Sequence, residues 1–201
     1  NKLEIALTEF TLATQIDANH SPAYNGLGLV YAALGEDAKA DANFKKAIQI
    51  QPKSSESHNN YGSFLCSKKR YAESIPHFLE AVKNPLYPTP NLAYANAGVC
   101  SARNNDIKNA EIYLVKALQI EPLTHSAAYQ LAEIQFNRGE VALAKNTVQN
   151  TLLINPSVEA LWLGYKIERS LGGKDAQASY ALQLRKQYPG SEQTRLLLSG
   201  Q

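Results

Sequence analysis

The chain has 201 residues, a formal net charge of +2, and 44% hydrophobic against 19% charged residues. That balance is ordinary for a folded protein, and with no basic block or basic-aromatic stripe it excludes an electrostatic case for nucleic acid or acidic membrane. No apolar run approaches the roughly 20 residues of a membrane-spanning helix. No secretory signal is visible. The chain also lacks methionine altogether, so it reads as part of a longer precursor.

Residues 1–20 read as the second helix of a repeat whose first helix lies upstream, with Ala6, Phe10 and Ala13 in a small-large-small spacing. Residues 21–54 form the cleanest repeat. Its first helix carries Tyr24, Leu27, Gly28 and Tyr31, Leu34-Gly35-Glu36 makes the turn, and Ala40, Phe44 and Ala47 mark the second helix. Pro52 then follows where a helix must stop. In 55–90 the same positions hold Tyr61, Gly62 and Leu65, then Ser74, Phe78 and Ala81. Glycine inside a helix costs about 1 kcal/mol against alanine, so a second backbone is expected to pass close to Gly62. Lys68-Lys69-Arg70 falls at the turn and is expected to be a solvated corner. Pro85, Pro88 and Pro90 then lengthen the connection, because a helix cannot run through them.

Residues 91–124 repeat the pattern with Tyr94, Gly98, Ala110, Leu114, Ala117 and Pro122. Residues 125–157 offer Leu131, Ala132, Ala144, Val148 and Pro156. Residues 158–190 are the most degraded copy, read with Trp162, Tyr165, Ala178 and Leu182 at its marker positions. A short helix near 192–198, within 191–201, is expected to cap the last hydrophobic face, as a repeat array requires. A shift of about 34 residues superimposes these segments, which is the tetratricopeptide (TPR) period. The expected fold is therefore all-α: one domain over 1–201, a right-handed superhelical solenoid of helix-turn-helix repeats. First helices should line a concave groove and second helices the convex back.

Chemistry is sparse by comparison. His20, His58, His77 and His125 share no metal-ligand spacing, and no nucleophile motif, phosphate loop or carboxylate pair stands out. The expectation is a non-enzyme with no catalytic residues, no cofactor and no metal. Function is then expected in the groove. Helical spacing turns Asn25, Leu29, Asn59, Ser63, Ala95, Val99, Tyr129, Glu133 and Phe136 towards it, although some of these side chains could serve packing alone. Asn25, Asn60 and Asn96 are present without the basic residues that a clamp for a peptide's terminal carboxylate needs. An extended or helical segment of a protein partner suits the surface better. Cys66 and Cys100 fit either buried thiols or one disulfide; bonding needs Cα atoms about 5.5–6 Å apart, closer than stacked helices usually come.

The stretch Asn59-Asn60-Tyr61-Gly62-Ser63-Phe64-Leu65-Cys66, then KKRYAESIPHFLEAV and NPLYP, resembles the PilF/PilW family of type IV pilus biogenesis proteins, the pilotins. EALWLGYKIERS and DAQASYALQLRKQYPGS resemble that family's last repeat and tail, so the likeness spans essentially the whole chain. The resemblance implies that Cys66 and Cys100 are bonded, as in the PilW branch. It further implies a TPR lipoprotein on the periplasmic face of the outer membrane, anchored by a lipid upstream of residue 1. The implied role is assembling or localising the secretin pore and producing functional pili, with a secretin subunit or another pilus component as partner. Two competing readings remain open at this point: a cytosolic co-chaperone or adaptor with reduced thiols, and an accessory domain of a repeat-containing transferase.

Overall fold

The computed structural model describes residues 2–154 and 156–199, with the side chains of Asn150 and Ile154 left aside. Among them are twelve helices: α1 (Lys2–Ile16), α2 (Ser21–Ala33), α3 (Asp37–Ile50), α4 (Ser55–Ser67), α5 (Tyr71–Ala81), α6 (Pro90–Arg103), α7 (Ile107–Ile120), α8 (His125–Asn137), α9 (Val141–Ile154), α10 (Val158–Leu171), α11 (Lys174–Gln187) and α12 (Glu192–Leu198). The chain divides into two compact units, 1–113 and 114–201.

In the first unit, two successive repeats are each locked by a ring against a glycine. A Cβ added to Gly28 would meet the Phe44 ring at 2.6 Å, and one on Gly62 would meet Phe78 at 2.9 Å. The close neighbour of each glycine is thus an aromatic ring from the following helix, not the second backbone expected from the sequence. Phe44 also reaches the next repeat, with ring centroids 5.6 Å from Tyr61 and 5.5 Å from Phe64. One side chain therefore closes a hairpin and stacks it on its neighbour, which is how a small core extends from repeat to repeat.

The helix–helix turns use a left-handed residue, and only some are glycine. Gly35 has φ +75°, while Lys69 and Asn105 take φ 62° and 60° at the corresponding corners. Nor is Lys68-Lys69-Arg70 a merely solvated corner. Lys68 pairs with Asp37 at 2.6 Å, and Arg70 bridges Asp41 of α3 and Glu73 of α5 at 2.8 and 2.7 Å. Tyr61 adds its hydroxyl to Asp41 at 2.8 Å. Burial pushes the Asp41 carboxyl up, but the bonds from Lys45, Arg70 and Tyr61 outweigh it and hold the group below the usual carboxylate range.

The second unit is built on Ala132, Ala144, Val148, Leu163 and Ile167. In α11 the register differs from the sequence reading. Ala178 faces solvent and Leu182 is 64% exposed, whereas Ala181 and Leu184 are buried. Half-buried Tyr180 lies against Gly164, where an added Cβ would meet Leu152 at 3.0 Å and Tyr180 at 3.2 Å. Ser191 caps α12 by accepting from the Thr194 amide, and the buried Thr194 hydroxyl donates to the Tyr188 carbonyl at 2.8 Å. Gly200 and Gln201, the last residues of the expected cap, lie outside the described residues.

Candidate partner-binding faces

In the first unit, the amide side chains of three consecutive first helices join across the helix axes. Asn60 Nδ2 on α4 donates to Asn25 Oδ1 on α2 at 3.3 Å. Asn96 Nδ2 on α6 reaches Asn59 Oδ1 at 3.2 Å and Ser63 Oγ at 3.4 Å. The row exists because first helices lie side by side: α4 carries two adjacent amides, Asn60 turned to α2 and Asn59 to α6. A primary amide offers two donors and an acceptor with two lone pairs, so these bonds leave capacity on every member for a further partner.

The residues read from the sequence divide by exposure. Leu29 is 46% exposed and Ser63 is exposed, while Asn59 and Val99 are half-buried. Asn25 is 5% exposed and Ala95 1%, so the first acts through the row and the second presents no surface. Asn60 and Asn96 complete the network instead. Their sequence signal was their recurrence one repeat apart, which pointed to a clamp that lacks its cations rather than to each other.

A disulfide backs this face. Cys66 and Cys100 are bonded with Cα atoms 6.0 Å apart and lie in a buried cluster with Phe78 and Ala97. The bond ties α4 to α6, the helices that carry Asn59, Asn60 and Asn96. Crosslinking fixes the spacing of those amides more firmly than packing alone.

The second unit presents a different surface. On α8, Tyr129 donates its hydroxyl to Glu133 Oε1 at 2.8 Å and Gln130 Nε2 donates to Oε2 at 2.9 Å. Both carboxylate oxygens are therefore engaged within the helix. Burial, then the Glu133 carboxylate, pushes the Tyr129 hydroxyl well above its ordinary pKa. Phe136 packs on the core beneath and carries Lys166 Nζ 5.3 Å from its ring centre. On α10, Trp162 and Tyr165 stack with centroids 5.2 Å apart and planes 7° from parallel. Read from the sequence as core markers, these two rings are half-exposed and belong to the surface as much as to the interior.

Tetratricopeptide-repeat profiles match residues 21–54, 43–75 and 92–122. The crystal structure of PilW, described as a widely conserved type IV pilus biogenesis factor, superimposes with a TM-score of 0.85 at 32% identity, over 98% of this chain and 90% of that one. The chain belongs to the PilF/PilW family of TPR proteins. Within that family it is 29% identical to the type IV pilus assembly protein PilF of Pseudomonas aeruginosa over 180 residues, covering 89% of this chain and 71% of that protein. The solved structure of P. aeruginosa PilF gives a TM-score of 0.90 at 27% identity, over 100% of this chain and 90% of that one.

Proposed function

We propose that this PilF/PilW-family member is a non-enzymatic scaffold for type IV pilus biogenesis, assisting secretin assembly or localisation in the outer membrane and pilus stability. Its partner is a secretin subunit or another pilus assembly protein, and its place is the periplasmic face of the outer membrane, on an N-terminal lipid. Membership of the family supplies the process. The observation that carries the mode of binding is the amide row across α2, α4 and α6. Asparagine side chains present the donor-acceptor pair that an extended main chain requires, while Leu29 and Val99 flank them with apolar surface. The bonded cysteines favour an oxidising compartment over the cytosolic co-chaperone reading.

The test is complementation of a strain lacking the protein, scored by secretin multimers in the outer membrane and by surface pili. Leu29→Asp and the pair Asn59→Ala with Asn96→Ala should restore neither, while helical content by circular dichroism stays unchanged. Full restoration by both variants would remove the groove assignment. Intact mass of protein taken from native cells, with and without reductant, separates the two compartments: free thiols would put the cytosolic adaptor ahead.

A further inference from the structure

His58, buried on α4, and His77, half-buried on α5, form a pair that the partner-binding faces do not use. Their Nδ1 atoms lie 2.9 Å apart, and His58 Nε2 lies 3.0 Å from the Pro52 carbonyl oxygen in the α3–α4 turn. His58 is 7% exposed. A carbonyl only accepts, so His58 Nε2 must carry a proton and donate it. In the neutral ring His58 Nδ1 is then bare, and it accepts from His77 Nδ1–H. Two neutral rings therefore share one hydrogen bond, which with the bond to Pro52 ties the turn, α4 and α5 together.

Protons add to this pair unequally. The first leaves one ring charged and the other neutral, so an N–H···N bond between the two Nδ1 atoms stays in place and is charge-assisted. A second would put a proton on both Nδ1 atoms and set two N–H groups head-on at 2.9 Å between two cations. We propose that this pair makes the α4–α5 hairpin acid-sensitive: it stays latched with up to one proton and releases α5 from α4 and the Pro52 turn when both rings are charged.

The surrounding groups set the balance. Burial, then the nearby His58, pushes the His77 pKa down, while Glu73 and Glu80 on its own helix pull against them. Glu73 is itself held by Arg70, and Glu80 by Lys83, with Lys53 of the α3–α4 turn near Glu80. From α4, the Tyr61 ring meets His77 edge-on at 4.7 Å and brings no charge to it. The sign follows from proton counting. An unfolded histidine takes its proton near pH 6.5, and a site that refuses it loses stability as pH falls below that value, by up to tenfold in the opening equilibrium per pH unit.

Hydrogen exchange of the full chain at pH 7.5 and pH 5.0, corrected for intrinsic rates, reads the effect directly. Protection of α4–α5 amides should fall by up to about thirtyfold for the one excluded proton, with the histidine-free helices α10 and α11 unaffected. His77→Gln removes one ring, and its amide can offer N–H to a neutral His58 Nδ1 or oxygen to a charged His58 Nδ1–H, so no proton is excluded and its α4–α5 protection should hardly change with pH. An equal loss in wild type and His77→Gln would overturn the proposal. Should the variant fail to fold, nitrogen NMR of the wild-type rings decides. Stepwise protonation, with α4–α5 exchange rising at the second step, supports the latch; two charged rings with unchanged exchange would refute it.

Discussion

The two units are made from the same repeat, yet they present opposite chemistry on their first helices. Between Asn25 and Asn96 the face is a row of amides, crosslinked from behind by Cys66–Cys100. Between Tyr129 and Tyr165 it carries Glu133, a carboxylate whose oxygens are already engaged, and the stacked Trp162–Tyr165 pair. The repeat constrains the inward positions, where a small residue meets a larger apolar one. The outward positions are free to vary, so the first unit offers hydrogen bonds and the second offers flat aromatic area. The first unit is also the more firmly specified, through the disulfide, the Arg70–Asp41–Tyr61 cluster and the histidine pair.

The largest test of that difference is to remove the crosslink. Reduction, or Cys66→Ser with Cys100→Ser, opens a loop with a sequence separation of 34, which chain entropy values at about 3–4 kcal/mol. Denaturant unfolding should show the loss, and hydrogen exchange should place it in α4–α6 while α8–α12 stay protected. Uniform loss over both units would break the comparison. Next come the glycines. Gly28→Ala drives a methyl into the Phe44 ring and should cost about 1–3 kcal/mol in thermal or denaturant melts. Gly164→Ala meets the flexible end of Leu152 at 3.0 Å and should cost less. Equal penalties would mean that the two units are packed alike.

Acid distinguishes them more gently. Asp41 has a lowered pKa in the folded protein, so its contribution is present above the unfolded aspartate value near 3.9 and is lost as pH falls below it. Asp41→Asn should flatten the acid limb of stability in the first unit and leave the second unchanged, as tryptophan fluorescence of Trp162 would report. The smallest effect is a gain. Lys69 sits at φ 62° where the equivalent corner of the preceding repeat has Gly35. Lys69→Gly should add up to about 1 kcal/mol by relieving a left-handed side chain; the Lys68 ion pair to Asp37 remains to hold the corner.

The repeats were legible because one spacing, a small residue against a larger apolar one, recurs at the inward positions from Gly28–Phe44 to Ala132–Val148. It failed where the repeat itself decays. Ala178 and Leu182 keep the spacing on the exposed face of α11, while Ala181 and Leu184 take the buried one. The candidate faces were legible by helix and by side, but not by contact. Asn60 and Asn96 sit one position beyond Asn59 and Ala95 in the repeat, and only the lateral offset of stacked helices reveals that the bonds run diagonally, from Asn25 to Asn60 and from Asn59 to Asn96. His58 and His77 carry no metal-ligand spacing to mark them as a pair. Nineteen residues apart on two helices of one hairpin, they have no local signature.

The most direct measurement is site-specific photo-crosslinking in living cells, with a benzophenone side chain placed at Ser63 on the amide face or at Leu182 on the exposed face of α11. The expected result is a crosslinked product containing the secretin subunit, or another identified pilus assembly protein, from position 63 and not from 182. The same product from position 182 alone would contradict the account and move the binding surface to the second helices.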